Sequence, residues 1–190
     1  MPSASARDRL HDPREFIDLL SVIDLHPAEP EECDAGRAIA AELISPYVAP
    51  AAAFRRVQAH TGSAVWVYRQ AGEVTGVLGM VAVKPNGLKA IEEHLYDSKN
   101  TPEEFLCGAG DPFAAIYGWG FAARTRKASV AVVLGAMRSR ERFADIPFFT
   151  RAATPAGVKV ITGRMGYRPY PGAPDDLLWN PVRPSQERAA

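Results

Sequence analysis

The sequence predicts an α+β fold in which helices pack on one mixed β-sheet. Two observations carry this prediction: the first half of the chain contains a β-hairpin pattern, and strand and helix patterns alternate in the second half. The length of 190 residues and the 47% of hydrophobic residues fit one globular domain with its own core. We therefore expect a single domain over residues 1–190, with residues 1–13 and 181–190 as flexible ends.

The elements of the first half follow from apolar periodicity and from the positions of proline and glycine. Residues 16–25 form an apolar run, and we interpret its second half as the first strand. A helix is predicted to begin at Pro30, because acidic residues in its first turn complement the helix dipole. A second helix is predicted over residues 51–58, between Pro50 and Gly62.

The hairpin pattern begins the next part of the chain. Two β-rich segments, 64–68 and 74–83, flank a short turn that contains Gly72. Residues 88–111 form an insert for which we predict one or two short helices, with Thr101 as an N-cap. The remaining predicted elements are strand 113–123, helix 125–142, strand 146–151, helix 155–165 and closing strands at 167–170 and 177–179.

The last two predicted helices carry distinct signals. Thr154 is expected to cap helix 155–165, and Gly166 is expected to end it. In helix 125–142 four apolar residues share one face, which we expect to be buried. They are Val130, Val133, Leu134 and Met137.

The composition argues against several classes of function. The 22 basic and 22 acidic side chains cancel, so the chain lacks the positive field with which proteins bind nucleic acid. No segment approaches the roughly 20 apolar residues that span a bilayer, and the first residues have no signal-peptide pattern. We therefore expect a cytoplasmic protein without nucleic-acid or membrane partners. Cys33 and Cys107 are expected as buried free thiols, with a disulfide as the open alternative, and the scattered histidines predict no metal site.

A basic segment follows strand 113–123 and begins the next helix. Residues 120–131 read GFAARTRKASVA, so small side chains surround Arg126 and Lys127. A pyrophosphate is well held at such a place, because backbone N–H groups converge at a helix N-terminus and the dipole favours negative charge. Small side chains permit close approach of the backbone, and the two cations would add charge-assisted hydrogen bonds. The alternative is an ordinary basic turn on a surface helix.

This segment and residues 154–167, which end in Arg-Met-Gly-Tyr, resemble the GNAT superfamily of N-acetyltransferases. In the order of elements the resemblance covers residues 19–179. It implies a mostly antiparallel central sheet flanked by helices, a helical insert between the third and fourth strands, and acetyl-CoA as co-substrate. Ser129 stands where the family has the first glycine of its pyrophosphate loop. The residues that the resemblance assigns to the cofactor are Phe121, Ala122, Ala123, Arg126, Lys127, Ala128, Ser129, Val130 and Ala131.

The sequence offers few catalytic residues. The family often has a tyrosine four residues before the helix-ending glycine, where this chain has Thr162, which is no comparable acid. Tyr117 is the titratable group on strand 113–123 and therefore the candidate catalytic residue, with a core aromatic as the alternative. Glu93 or His94 would be a distant base if the insert forms a lid over a cationic amine; otherwise its polar residues form a solvated face. Those residues are Glu92, Glu93, His94, Asp97, Glu103 and Glu104.

The resemblance implies transfer of an acetyl group from acetyl-CoA to an amine of a small molecule or peptide. A second hypothesis is a non-catalytic protein that binds CoA or an acyl ligand as a sensor or as a partner's subunit. Ser129, Thr162 and the absence of a carboxylate on strand 113–123 favour this second hypothesis. A third is an interaction protein without a cofactor. The sequence leaves a homodimer open.

Overall fold

The computed structural model describes residues 11–173 and 176–182, and these residues form seven strands and six α-helices. The strands are β1 (Leu25–Pro27), β2 (Val65–Gln70), β3 (Glu73–Val83), β4 (Ala115–Ala123), β5 (Phe148–Arg151), β6 (Arg168–Pro169) and β7 (Leu177–Asn180). The helices are α1 (Glu15–Ser21), α2 (Pro30–Leu43), α3 (Ala51–Thr61), α4 (Pro85–Glu92), α5 (Arg126–Arg142) and α6 (Pro155–Met165). No helix in this part of the chain is long and apolar enough to cross a membrane.

All seven strands belong to one sheet with the order β1-β2-β3-β4-β5-β7-β6. Neighbouring strands are antiparallel, except that β4 and β5 run parallel. A parallel pair needs a long crossover connection, which α5 supplies between these two strands. The predicted mixed, mostly antiparallel sheet flanked by helices is confirmed.

The two faces of the sheet carry separate cores. One core contains residues of α2 and α3, such as Ile39 and Val57, and the other contains residues of α1 and α5, such as Phe16 and Val132. Helix α6 packs beside α5 through Ile161 and Met165. The helices therefore cover both faces of the sheet.

The hairpin and two of the helices agree with the sequence. Strands β2 and β3 meet at a two-residue turn in which Ala71 and Gly72 both have positive φ, 52° and 83°. This is the turn geometry whose twist matches a hairpin. Helix α6 has the predicted bounds: the Thr154 hydroxyl accepts a hydrogen bond from the Gly157 N–H, and Gly166 ends the helix at φ 72°. Helix α3 likewise ends at Gly62 with φ 66°.

The first strand was predicted too early in the chain. Residues 15–21 form α1, and the strand begins only at Leu25. Phe16 and Leu20 lie one helical turn apart and are both fully buried, so the apolar run follows a helical period rather than a strand period. The strand prediction for the second half of the run was therefore wrong.

The insert between β3 and β4 contains short helical segments, as predicted, but their bounds differ from the predicted ones. Helix α4 begins at Pro85, before the insert, and Glu103–Phe105 forms one 3₁₀ turn. Thr101 does not cap this turn, because Pro102 takes the N-cap position, and the fully buried Thr101 hydroxyl donates to the Asp97 carbonyl at 3.0 Å. The Arg56 guanidinium, which donates to the Thr101 carbonyl at 3.0 Å, also holds the irregular chain against α3.

The apolar face predicted for α5 is not the face against the sheet. Val130 is 60% exposed, whereas Ala128, Ala131 and Gly135 are buried. A Cβ at Gly76 of β3 would lie 3.0 Å from the Ala128 Cβ, so α5 approaches the sheet through small side chains. The larger residues Val133 and Met137 pack toward α6 instead.

Residues 11–13, which were predicted to belong to a flexible arm, include a buried side chain in the structure. His11 is 2% exposed, and its Nε2 lies 3.0 Å from both carboxylate oxygens of Asp145. Residues 1–10 of the predicted arm and residues 183–190 of the predicted tail lie outside the described residues.

Candidate functional site

The parallel strands β4 and β5 separate after three residue pairs. The last pair joins Gly118 to Thr150, and the Thr150 hydroxyl donates to the Gly118 carbonyl at 2.8 Å. Beyond this point β4 continues to Ala123, and within the described residues its β5-facing edge has no partner strand. This edge leaves backbone polar groups available to a ligand, because buried backbone N–H and C=O groups need partners.

A β-bulge lies where the two strands separate. Gly79 pairs with Gly120 and Met80 pairs with Gly118, so Trp119 is an extra residue in β4. Gly120 has φ +129°, a conformation that side-chain-bearing residues rarely adopt. A bulge changes which face the following side chains occupy, and Trp119 and Ala122 accordingly share the core on the α2–α3 face.

The separation of the strands opens a cleft with about 1190 Å³ of empty space, part of it open to solvent. Its walls come from the end of α2 and the following loop, from α3, from β4 and β5, from the insert and from the first turns of α6. Most of its lining is apolar, including Ile44, Val48, Phe54, Trp119 and Phe121. Small-molecule sites are commonly clefts of this kind, with a few polar groups among apolar walls.

A capped helix N-terminus adjoins the free edge of β4. The Thr125 hydroxyl accepts a hydrogen bond from the Ala128 N–H at 3.2 Å, and the Ser129 N–H donates to the Thr125 carbonyl at 2.9 Å. The amides of Arg126 and Lys127 precede these two and have no carbonyl within the helix to bond. Both side chains are exposed. The helix dipole and the two cations therefore both favour the binding of an anion at this end of α5.

The residues that the sequence assigned to the cofactor divide into two groups. Phe121 and Ala122 lie on the free edge segment of β4 with Ala123, and Phe121 lines the cleft. On α5, Ser129 is exposed. Its amide already donates to a carbonyl at the start of the helix, so its hydroxyl is the group that could contact a ligand. Ala128 and Ala131 are buried against the sheet, and Val130 faces solvent. Cofactor binding by these nine residues stays a prediction.

Arg124, which precedes the helix, is engaged elsewhere. Its Nη2 and Nε lie 2.6 and 3.1 Å from Glu42 Oε2 of α2. This ion pair joins the β4–α5 turn to the end of α2. Because both partners are about half exposed, the pair itself stabilises the fold little.

Tyr117 and Arg151 form a polar pair in the cleft. Tyr117 is 1% exposed, and its Oη accepts a hydrogen bond of 2.8 Å from Nη1 of Arg151. The ring of Tyr96 packs on Tyr117 with the ring centroids 4.9 Å apart, and burial raises the pKa of the Tyr96 hydroxyl. Tyr117 therefore lies in the core and lines the cleft at the same time.

The predicted distant bases Glu93 and His94 lie away from the cleft, and so does Thr162, which stands where the family often has a tyrosine. Thr162 is partly exposed, and its hydroxyl donates to the Val158 carbonyl at 2.8 Å. Glu93 faces Lys89 on α4, and Glu103 faces Arg56 and His60. His94, Glu93 and the other acids of the insert do not line the cleft in the described residues. A lid of carboxylates over the site is not what the structure shows.

Sequence reasoning missed the residues of β5 and of the loop after α2. Thr150 and Arg151 are the last residues of a short apolar strand, and the carboxyl ends of adjacent parallel strands are a usual place for binding residues. That rule could have identified Arg151. The lining residues of the loop between α2 and α3, such as Ser45, Tyr47 and Val48, carry no comparable signal, because such a mixture of side chains is ordinary in loops.

The two cysteines take no part in the cleft. Cys33 and Cys107 are buried free thiols, as expected from the sequence. Burial raises the pKa of Cys33 to about 11 and that of Cys107 to about 12. Such thiols are protonated at neutral pH and poorly nucleophilic.

Three solved structures are similar to this chain over most of its length. The histone acetyltransferase HPA2 and related acetyltransferase from Corynebacterium glutamicum ATCC 13032 is similar with a TM-score of 0.51 and 16% identity, over 85% of this chain and 97% of that one. The GNAT-like decarboxylase GphF, solved in complex with isobutyryl-CoA, has a TM-score of 0.49 at 16% identity, over 84% and 99%. A structure described as an acetyltransferase has a TM-score of 0.47 at 11% identity, over 84% and 99%.

No protein-family model and no curated protein matches the sequence. Identities of this size bear on the fold and not on a shared activity. The strand order, the parallel β4–β5 pair and the first of these structural similarities agree with the resemblance stated from the sequence. The chain has the GNAT fold, in a divergent form.

Proposed function

We propose that the protein transfers an acyl group, acetyl in the simplest case, from a coenzyme A thioester to an amine. One observation carries the proposal: β4 and β5 separate at Gly118 and Thr150, beside the capped N-terminus of α5. A free strand edge and a helix N-terminus match the two polar parts of coenzyme A, the amide-containing arm and the pyrophosphate.

The reaction requires little covalent chemistry from the protein. The amine nitrogen attacks the thioester carbonyl, the C–N bond forms, the C–S bond breaks, and the amine proton ends on the sulfur or in water. Positioning of the two reactants supplies much of the rate in such transfers. Backbone N–H groups of the bulged segment around Trp119 and Gly120 would stabilise the developing oxyanion.

Tyr117 is the candidate donor of the proton that the sulfur takes up. Arg151 donates to its oxygen at 2.8 Å, so the phenolic O–H can point toward another acceptor. No carboxylate lines the cleft among the described residues, so the amine must arrive neutral or lose its proton to water.

The alternative is a non-catalytic protein that binds CoA or an acyl ligand. The same lack of a carboxylate in the described lining favours it, as does the presence of threonine, and not tyrosine, at position 162. Both functions need the cofactor site, and they differ only in turnover.

Calorimetric binding of acetyl-CoA tests the shared part of the two functions. We expect the wild type to bind acetyl-CoA and Arg126→Glu to bind at least about tenfold more weakly, which is about 1.4 kcal/mol. Arg138→Glu is the matched control, because it makes the same charge change about 18 Å further along α5. Unchanged affinity in Arg126→Glu would mean that the pyrophosphate lies elsewhere.

Turnover then separates the two functions. Thiol release is measured with polyamines, aminoglycosides and peptide N-termini as acceptors. Release with any of them supports the transferase, and tight binding without release supports the non-catalytic protein. If the wild type binds no acetyl-CoA, both functions are contradicted.

A further inference from the structure

Aromatic side chains are spread over the walls of the cleft. They come from α3, from β4 and from the loop after α2, and the described ones are Tyr47, Phe54, Tyr117, Trp119 and Phe121. The rings of Phe54 and Trp119 are in contact, with centroids 5.1 Å apart and an angle of 34° between the ring planes. Aromatic rings attract one another in offset and tilted arrangements. The walls therefore favour a ligand that brings a further ring.

Tyr47 presents an open aromatic ring where the cleft meets solvent. It lines the cleft and is nevertheless 77% exposed, whereas Phe54 is 5% exposed. The Tyr47 backbone N–H donates to the Ser45 hydroxyl at 3.2 Å, which ties this residue into its turn. An exposed ring gains from a planar apolar ligand that stacks on it, because both apolar surfaces are then removed from water.

The charged side chains in the described lining are all basic. Lys99 is exposed at the edge formed by the insert. Arg151 is already engaged in polar contacts, one of them with Tyr117, and we assign it no part in binding the acceptor. The described lining contains no Asp, Glu or His. An alkylammonium would leave water for apolar walls without an anionic partner among these residues, which is unfavourable. This lining favours an amine that is neutral before it binds.

We infer that the acceptor is an aromatic amine whose amino group is bonded directly to the ring. The inference rests on the proposed transfer from a coenzyme A thioester. The lone pair of such a nitrogen is delocalised into the ring, so the amine is neutral at neutral pH, whereas an alkylamine is protonated there as a lysine side chain is. The aromatic body matches the walls, and the neutral nitrogen matches the charge of the described lining.

Transfer to an aromatic amine requires no base from the protein. The nitrogen bonds to the thioester carbonyl carbon, and the arylammonium that forms is acidic enough to give its proton to water. The C–S bond then breaks, and the sulfur takes up a proton from Tyr117 or from solvent. The products are an anilide and coenzyme A.

Three acceptors separate the effect of the ring from the effect of the charge. 4-Methylaniline and benzylamine are isomers that both contain a benzene ring, and of the two only benzylamine is protonated at neutral pH. Cyclohexylmethylamine is protonated like benzylamine but has no aromatic ring. Each is titrated calorimetrically against protein saturated with coenzyme A, so that no transfer occurs.

We expect two differences in affinity at neutral pH. 4-Methylaniline should bind at least about tenfold more tightly than benzylamine, because no ammonium has to leave water. Benzylamine should bind at least about threefold more tightly than cyclohexylmethylamine, because it alone of these two stacks on the aromatic walls. The advantage of 4-methylaniline should shrink as the pH is raised toward about 9.5, where benzylamine loses its proton and 4-methylaniline is unchanged.

The variants connect the aromatic preference to the walls. Phe54→Leu should weaken the binding of 4-methylaniline at least about threefold and leave acetyl-CoA affinity unchanged, which also shows that the variant is folded. Phe113→Leu is the matched control, because Phe113 is equally buried, at 6% exposed, but belongs to the core on the other face of the sheet. Tyr47→Leu changes an exposed residue and tests the same point without removing a buried ring.

Each outcome supports or overturns the inference. Benzylamine that binds as tightly as 4-methylaniline at neutral pH overturns it, because ring faces or a carboxylate then hold the ammonium. Unchanged 4-methylaniline affinity in both Phe54→Leu and Tyr47→Leu also overturns it.

Thiol release from acetyl-CoA distinguishes a failure of this inference from a failure of the proposed function. Release with 4-methylaniline supports both. Release with alkylamines but not with 4-methylaniline overturns the inference and leaves the proposed function standing. If the wild type binds no acetyl-CoA, the proposed function fails and this inference fails with it.

Discussion

The units β4–α5 and β5–α6 lie side by side and have the same local design. Each is a strand followed by a threonine that caps the next helix, with Thr125 bonded to the Ala128 N–H at 3.2 Å and Thr154 bonded to the Gly157 N–H at 3.0 Å. The strands are parallel neighbours. The two units therefore share a strand, a threonine cap and a helix. Their differences show which features form the candidate cofactor site.

The strands of the two units differ in length and regularity. Strand β4 has nine residues and a bulge, whereas β5 has four residues and ends at Arg151. Because β5 ends where β4 changes direction, the ladder between them stops at Gly118 and Thr150. The cleft follows from this mismatch and not from either strand alone.

The helices differ in depth and in charge. Helix α5 is packed closely over the sheet, since a Cβ at Gly135 would lie 2.6 Å from Leu25 Cδ1. Helix α6 buries two residues, Ile161 and Met165, and its Gly163 faces solvent, so that a Cβ there would meet no atom within 4 Å. The first turn of α5 carries two cations, and that of α6 begins with a proline and has no charged residue. A buried helix with a basic N-terminus is the better platform for an anionic cofactor.

The largest expected effect comes from the bulge. Gly120→Ala should lower the free energy of unfolding by about 3 kcal/mol, because φ +129° strains any side chain and the new Cβ lies 3.3 Å from Ile44 Cδ1. Gly118→Ala is the control: its Cβ would make an ordinary contact of 3.5 Å with Thr150, and we expect less than about 1 kcal/mol. Chemical denaturation compares the two, and equal losses would contradict a special role for the bulge.

The next largest expected effect is a difference in stability between glycine substitutions in α5 and in α6. Gly135→Ala should destabilise the protein by about 2 kcal/mol, because the added methyl group meets buried Leu25 and Leu78. Gly163→Ala should stabilise it by up to about 1 kcal/mol, since alanine is the better helix former and the space is open. Urea midpoints of both variants measure the contrast. The same sign for both would contradict the contrast between a crowded glycine in α5 and an open one in α6.

The smallest effect should be common to both units. Thr125→Ala and Thr154→Ala each remove one capping hydrogen bond, and each should cost about 1 kcal/mol of unfolding free energy. Thermal unfolding of the two variants tests whether the caps are equivalent. A loss confined to Thr125→Ala would indicate that the α6 cap contributes nothing measurable.

The sequence predicted well where local chemistry decides. The bounds of α6 and the hairpin of β2 and β3 follow from a threonine cap and from glycines with positive φ, whose preferences act over a few residues. The strand prediction for the second half of the apolar run at residues 16–25 was wrong, because a short apolar segment satisfies helix and strand periods almost equally well. The prediction of the buried face of α5 was also wrong, because the buried alanine and glycine residues are too small to produce a clear apolar pattern.

The sequence by itself determined the fold class, the order of elements after the first strand and the position of a basic helix N-terminus after β4, whereas α1 and the Thr125 cap emerged only from the structure. Only the tertiary structure decided where the cleft opens and what lines it. The bulge at Trp119 depends on pairing with β3, and the contact between Tyr117 and Arg151 joins residues 34 positions apart on neighbouring parallel strands. Such contacts depend on strand register, which is set by packing over the whole sheet and leaves no mark in the residues that make them.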